Sequence, residues 1–265
     1  MKSAGGVSRY PERAMETKKT AGILVFDEKS VLERYFVSEW MGMAREAISA
    51  RGLFSAALSG GKTPEGFFRA LAGGGDEAIW RETRLFMVDE RIVPHEDEAS
   101  NWKMMNETLF DRCPIPRENI HPVPTGCLPE ACANLYEKDL RAFFGTEDGF
   151  PIFDLVHLGL GEDGHTASLF PGSPVLREKM LLAAAVPDGA RHDRVTLTYP
   201  VINNARNVIF LVIGEGKAAI LARVAGNDPS LPASEVSPRK GRLLFLADRG
   251  AASMLRPGSY ESYKE

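Results

Sequence analysis

Long apolar runs are missing from this sequence. No stretch of the 265 residues approaches the roughly 18 consecutive apolar residues that a membrane-spanning helix requires, so no membrane partner is expected. Residues 1–20 are polar and mixed in charge. They lack the apolar centre of a secretory signal and do not have the composition of a transit peptide, so they read as a disordered leader, with Met15 as an alternative start. A basic excess is missing too. The net charge is −4 with acids and bases interspersed, which excludes a general nucleic-acid binder but leaves room for a local basic pocket. Cysteine is scarce. Cys113, Cys127 and Cys132 form an odd set without a CxxC pair, which predicts reduced thiols and a cytoplasmic protein rather than a disulfide scaffold. There is no HExxH, no EF-hand loop and no Cys/His cluster, so no metal is expected.

What is present is strand–helix alternation from end to end. Apolar runs at 22–26, 53–58, 85–88 and 152–160 predict strands, as do later runs at 181–186, 195–199, 208–213 and 243–246, with a short one near Ile120. Val31, Leu32, Tyr35, Phe36, Trp40, Met43, Ala44, Ala47 and Ile48 recur at helical spacing, giving a long helix that stops at Gly52. Pro64 suits the first turn of a helix running through Phe67, Phe68 and Leu71. Further helices are expected from Ser100-Asn101 through Leu109, over 129–144 and over 214–224. No linker, repeat or composition shift divides the chain. Residues 21–265 therefore read as a single α/β domain with a doubly wound, mostly parallel sheet.

The chemistry concentrates at the ends of strands. Ile152 to Leu160 leads into Gly159-Leu-Gly-Glu-Asp163-Gly-His165, where glycines allow a tight turn around an Asp–His pair. A histidine beside a carboxylate can hold a neutral imidazole ready to take a proton near pH 7. Gly159, Gly161 and Gly164 also satisfy a dinucleotide fingerprint, with Asp188 near the acidic position. Pro171, Gly172 and Pro174, however, leave no room for the long helix that the fingerprint requires.

The second strand ends in Ser59-Gly60-Gly61-Lys62-Thr63-Pro64, between a strand and a helix start, where backbone N–H groups favour an anion. It is not a Walker A loop, because position 56 is alanine where that pattern needs glycine. A phosphorylated small molecule fits it better than a nucleoside triphosphate. Ser59 is also one residue away from a nucleophile elbow, which leaves a serine hydrolase as an alternative; the early position of His165 counts against it. Asp89-Glu90-Arg91 follows the third strand and is either a solvated charge run or part of a crevice. Arg194 and Lys217 are cations near chain reversals, and spacing alone would put either at the surface.

Together, L-S-G-G-K-T-P (58–64), F-M-V-D-E-R-I-V-P (86–94) with Ser100-Asn101, G-L-G-E-D-G-H-T-A-S-L-F-P-G (159–172), R-V-T-L-T-Y-P-V-I-N-N-A (194–205) and G-E-G-K-A (214–218) resemble the 6-phosphogluconolactonase family, within the larger group that includes glucosamine-6-phosphate deaminases. The resemblance implies a three-layer α/β/α fold and hydrolysis of 6-phospho-D-glucono-1,5-lactone to 6-phospho-D-gluconate, the second step of the oxidative pentose phosphate route, without a cofactor. By position it implies that Ser59, Gly60, Gly61, Lys62 and Thr63 form a phosphate loop with Arg194 and Lys217 as cationic partners. His165 would be the general base, with Asp163, Asp89 and Arg91 around it. Phe170 stands where the deaminases carry a glutamate, which favours the lactonase. The deaminase and a non-catalytic phosphosugar-binding module remain the alternatives. The expected partner is the phosphosugar lactone, and the expected assembly is a monomer or small homo-oligomer.

Overall fold

The computed structural model describes residues 22–74, 76–187 and 192–264. The leader at 1–20 and Asp188 lie outside the described residues.

In chain order the strands and helices are β1 (Gly22–Phe26), α1 (Lys29–Arg51), β2 (Phe54–Leu58), α2 (Glu65–Gly74), α3 (Glu77–Arg81), β3 (Thr83–Met87), β4 (Asp89–Arg91), α4 (Asn101–Met105), β5 (Ile120–His121), α5 (Pro129–Phe144), β6 (Leu155–Gly159), β7 (Ala183–Val186), β8 (Arg194–Leu197), α6 (Tyr199–Ile202), β9 (Asn207–Val212), α7 (Ala218–Ala225), β10 (Arg242–Asp248), α8 (Arg249–Ala252) and β11 (Glu261–Ser262). The fold is α/β, three layers around a doubly wound sheet. Eight strands run in the order β11-β1-β10-β9-β6-β2-β3-β5, and each neighbouring pair is parallel. A parallel sheet is covered on both faces, which is why β2 is buried at all five positions and reads as one apolar run.

The long helix forms as its spacing predicts. Leu32, Phe36, Trp40, Met41, Ala44 and Ala47 are its buried stripe, and Gly52 ends it at φ 82°, donating its N–H to the Ile48 carbonyl. Phe36 stacks on Phe67 of α2 at 4.0 Å between ring centres, tying the two helices together.

The topology also fixes where a ligand can enter. From β2 the chain adds β3 and β5 on one side, then returns to place β6, β9 and β10 on the other, between β2 and β1. The strand order reverses between β2 and β6, so the loops that follow these two strands part and leave a crevice.

Two expected strands, at 181–186 and 195–199, are not in the main sheet, and the charged triplet after the third strand is itself a strand. Asp89–Arg91, Ala183–Val186 and Arg194–Leu197 leave the main sheet and form a separate antiparallel sheet, in the order β4-β8-β7. Val88 is the junction. Its N–H donates to Leu58 O in the main sheet, and its carbonyl accepts from Leu197 N in the small one. The run at 195–199 ends at Leu197 because Tyr199-Pro200 opens α6. The helix from Ser100 is capped as expected by the Ser100 hydroxyl, which accepts from Lys103 N, but widens into a π turn over Asn106–Phe110. The reading of all cysteines as reduced is also corrected, since Cys127 and Cys132 form a disulfide. Cys127 precedes α5 and Cys132 lies in its first turns, and the helix start brings their Cα atoms to 5.7 Å, within bridging range. Cys113 is a free thiol.

Candidate active site

The loop after β2 forms the floor of the crevice. Ser59 is buried, its N–H donates to His157 O of β6, and its hydroxyl has no partner among the described residues. Gly60 admits the Asn101 side chain, since a Cβ there would stand 2.1 Å from Asn101 Oδ1. Gly61 turns the chain at φ 100°, and α2 begins four residues later. Ser59, Gly60, Gly61, Thr63 and Pro64 thus line the opening just ahead of α2, a place in the fold that favours anions.

The β4 strand supplies the adjoining wall. Successive side chains of a strand point to opposite faces, so Asp89 and Arg91 reach the crevice while Glu90 turns into the protein. Glu90 is fully buried, and its carboxylate accepts from the N–H groups of Arg91 (2.7 Å), Asn101 (2.8 Å) and Trp102 (2.7 Å) and from the Ser100 hydroxyl (3.1 Å). Burial pushes its carboxyl above the ordinary value, while the three amide bonds pull the other way. Asn101, held by Glu90, donates through its side chain to Asp89 O. From the sequence Glu90 is one of three consecutive charged residues, and Asn101 has no assigned site role. The available signal was the Ser100-Asn101 helix start, which needs an acceptor for its first amides.

The turn after β6 carries the reactive pair. Gly161 N–H donates to His165 O, and Gly164, at φ 85°, closes the turn by donating to Gly161 O. His165 Nδ1 lies 2.5 Å from Asp163 Oδ1, which also accepts from His165 N. With Nδ1 as the N–H, the other ring nitrogen keeps its lone pair and can take a proton. Burial opposes the Asp163 charge, but the His165 amide bond, the neighbouring imidazole and the ring bond outweigh it and hold the carboxyl below its ordinary value.

The opposite rim brings the two expected cations in. Arg194, the first residue of β8, lies 4.0 Å from Asp89 Oδ2 and over the Phe170 ring at 5.2 Å. Phe170 in turn sits 4.6 Å from the His165 ring. Lys217 lies 3.9 Å from Glu162 Oε1.

Ser59, Gly60, Gly61, Thr63, Asp89, Arg91, Asp163, His165, Arg194 and Lys217 therefore line one cleft of about 500 Å³. Lys62 does not. It is exposed and lies on a neighbouring hollow with Glu65, Arg69 and Lys103, because the turn at Gly61 carries its side chain outward. A larger cavity of about 730 Å³ lies at the opposite end of the strands. There Asp154 takes Arg51 and Arg206, and Glu39 takes Arg242. No group of three or more metal-ligating side chains occurs among the described residues.

Residues 27–245 match the model of a family described as glucosamine-6-phosphate isomerases/6-phosphogluconolactonase. The chain belongs to this family. It is 40% identical over 241 residues to a 6-phosphogluconolactonase of Synechocystis, covering 88% of this chain and 98% of that one. The human 6-phosphogluconolactonase is 40% identical over 215 residues, covering 78% and 82%. Among solved structures, the 6-phosphogluconolactonase from Trypanosoma cruzi superposes with a TM-score of 0.80 at 29% identity, over 89% of this chain and 97% of that one. A monomeric glucosamine-6-phosphate deaminase shares the fold, with a TM-score of 0.71 at 19% identity.

Proposed function

We propose that the chain hydrolyses 6-phospho-D-glucono-1,5-lactone to 6-phospho-D-gluconate, residues 21–265 acting as one catalytic domain. The observation that carries this reading is the His165–Asp163 pair in the same cleft as the Ser59–Thr63 loop, with Arg194 and Lys217 on its rim. The relatives named above at 29–40% identity are 6-phosphogluconolactonases, and the cleft offers what their substrate needs.

The lactone is an activated ester, so modest assistance suffices. In this reading the phosphate rests on the loop after β2 and on Arg194 and Lys217, and its binding energy orients the remote C1 carbonyl. His165 takes a proton from a water molecule as the water oxygen bonds to C1. Such a positioned base contributes roughly 10²- to 10⁴-fold. Asp163, through Nδ1, fixes the ring's orientation and stabilises the imidazolium that forms. Arg91 stabilises the oxyanion on C1, since the Gly161, Gly164 and His165 amides of the turn are already engaged within it. The C1–O5 bond then breaks, O5 recovers the proton from His165, and the open-chain acid releases its carboxyl proton to solvent and leaves as the carboxylate. No step calls for a cofactor.

The test is the rate of lactone hydrolysis above the spontaneous rate. His165→Ala is expected to bind 6-phosphogluconate and to lose most of the acceleration; retained activity removes His165 as the base. The deaminase alternative is disfavoured because the Phe170 ring, which has no ionisable group, packs against His165. Release of ammonia from glucosamine 6-phosphate would favour it instead. A cytoplasmic location and a monomeric or small homo-oligomeric state belong to the same proposal. The described residues hold no helix long and apolar enough to cross a membrane.

A further inference from the structure

The hydroxyl of Ser168 donates to Asp89 Oδ2 at 2.6 Å, and both residues are buried, Ser168 at 0% exposure and Asp89 at 5%. The contact joins two separate elements of the site. Ser168 lies three residues beyond His165, and the chain between them passes through Ala167 at φ 51°, the left-handed region that a non-glycine residue enters only where its surroundings hold it. The bend drops Ser168 onto the small sheet. There its N–H donates to the Thr196 hydroxyl, and Thr196 is the residue opposite Asp89 in the β4–β8 ladder. The turn carrying the base and the strand carrying the carboxylate are thus locked together by one residue's hydroxyl and amide.

Only half of the Asp89 carboxylate is used by this lock. Oδ1 accepts no hydrogen bond from any described residue, and Asp89 lines the cleft. A carboxylate shielded from bulk water with one oxygen open to a binding cleft requires a donor from whatever fills the cleft. The phosphate and the developing oxyanion at C1 are anionic and would be repelled by it. On a 6-phosphogluconolactone the groups that can donate are the ring hydroxyls.

We propose that Asp89 accepts a hydrogen bond from one ring hydroxyl of the substrate, making it a specificity residue for a hydroxylated sugar lactone, and that Ser168 is a positioning residue that aims Oδ1 at that hydroxyl. The inference rests on the lactonase reading. It predicts discrimination against substrates that keep the phosphate and the lactone but lack the hydroxyl. A site built around such a bond leaves a carboxylate oxygen without its donor when the analogue binds.

The experiment measures kcat/KM, with spontaneous hydrolysis subtracted, on 6-phosphogluconolactone and its 2-, 3- and 4-deoxy analogues. Wild type, Asp89→Asn and Ser168→Ala are compared. Wild type is expected to lose roughly 10- to 100-fold on one of the three analogues, the size of a charge-assisted hydrogen bond. That penalty should shrink to a few-fold in Asp89→Asn and fall in Ser168→Ala, a ratio that a merely structural loss would not move. Equal activity of wild type on all four lactones overturns the proposal without recourse to a variant. So does an unchanged penalty in Asp89→Asn, while an unchanged penalty in Ser168→Ala alone removes Ser168 as the positioning residue. Absence of any acceleration on the parent lactone overturns the lactonase reading itself, and this inference with it.

Discussion

Arg91 and Arg194 stand directly opposite each other across the antiparallel β4–β8 ladder, and both line the cleft. Like charges in cross-strand register oppose folding, so an anion placed between them should stabilise the protein as well as bind. Saturation with 6-phosphogluconate at about 100 times its Kd is expected to add about 2.7 kcal/mol and to raise Tm by several degrees. Differential scanning calorimetry with and without the ligand measures this. Arg194→Ala and Lys217→Ala should each raise KM at least tenfold with a smaller change in kcat, because the phosphate is remote from C1. If KM is unchanged in both, the phosphate sits elsewhere.

Gly161 has an ordinary backbone, yet a Cβ there would lie 2.1 Å from His165 Nδ1 and 2.7 Å from Asp163 Oδ1. Gly161→Ala should therefore keep the fold and drive the ring from its carboxylate. The expected outcome is a kcat as low as that of His165→Ala, with circular dichroism and the Kd for 6-phosphogluconate close to wild type. Wild-type kcat would show that the pair tolerates rearrangement.

Glu90 holds the wall of the cleft without touching it. Glu90→Ala leaves three amides, one buried and two part-buried, and a buried hydroxyl without their acceptor, and each buried unsatisfied group costs on the order of 1–3 kcal/mol. Urea unfolding should show a loss of several kcal/mol. Asn101 and Asp89, freed of their anchor, should bring a rise in KM as well. A variant as stable as wild type would mean that water replaces the carboxylate.

What the sequence made legible and what it hid divide along a physical line. The Ser59–Thr63 loop and the Asp163–His165 turn are each encoded by contiguous residues, and glycine at fixed positions is a local requirement. Their meeting at the β2/β6 reversal follows from strand alternation and topology. The small sheet was illegible, because residues 89–91 and 194–197 look like any short strands until they pair across about a hundred residues. That pairing decides which of Asp89, Glu90 and Arg91 faces the ligand. Lys62 belongs to the anion-loop motif by sequence, but the outward turn at Gly61 is a backbone event that the motif does not record. Cys127 and Cys132 have no familiar spacing and become partners only when α5 forms.

His157 is the one imidazole that the fold encloses completely, packed among Phe36, Phe67 and Phe68 behind the loop after β2. Neither ring nitrogen has a partner among the described residues, and burial pushes its pKa down to about 3. Above the ordinary histidine range both folded and unfolded chains carry it neutral, so its contribution to stability is fully present there. As pH falls below about 6.5 the unfolded chain takes up a proton that the folded one refuses, and stability is lost progressively toward pH 3. The slope approaches about 1.4 kcal/mol per pH unit, so between pH 7 and pH 5 the loss should be about 2 kcal/mol. Urea unfolding at the two pH values, for wild type and His157→Leu, isolates the term. The leucine variant should lose correspondingly less between pH 7 and pH 5. Equal losses in both would mean that His157 gains a proton acceptor or water in solution and is not neutralised by its surroundings.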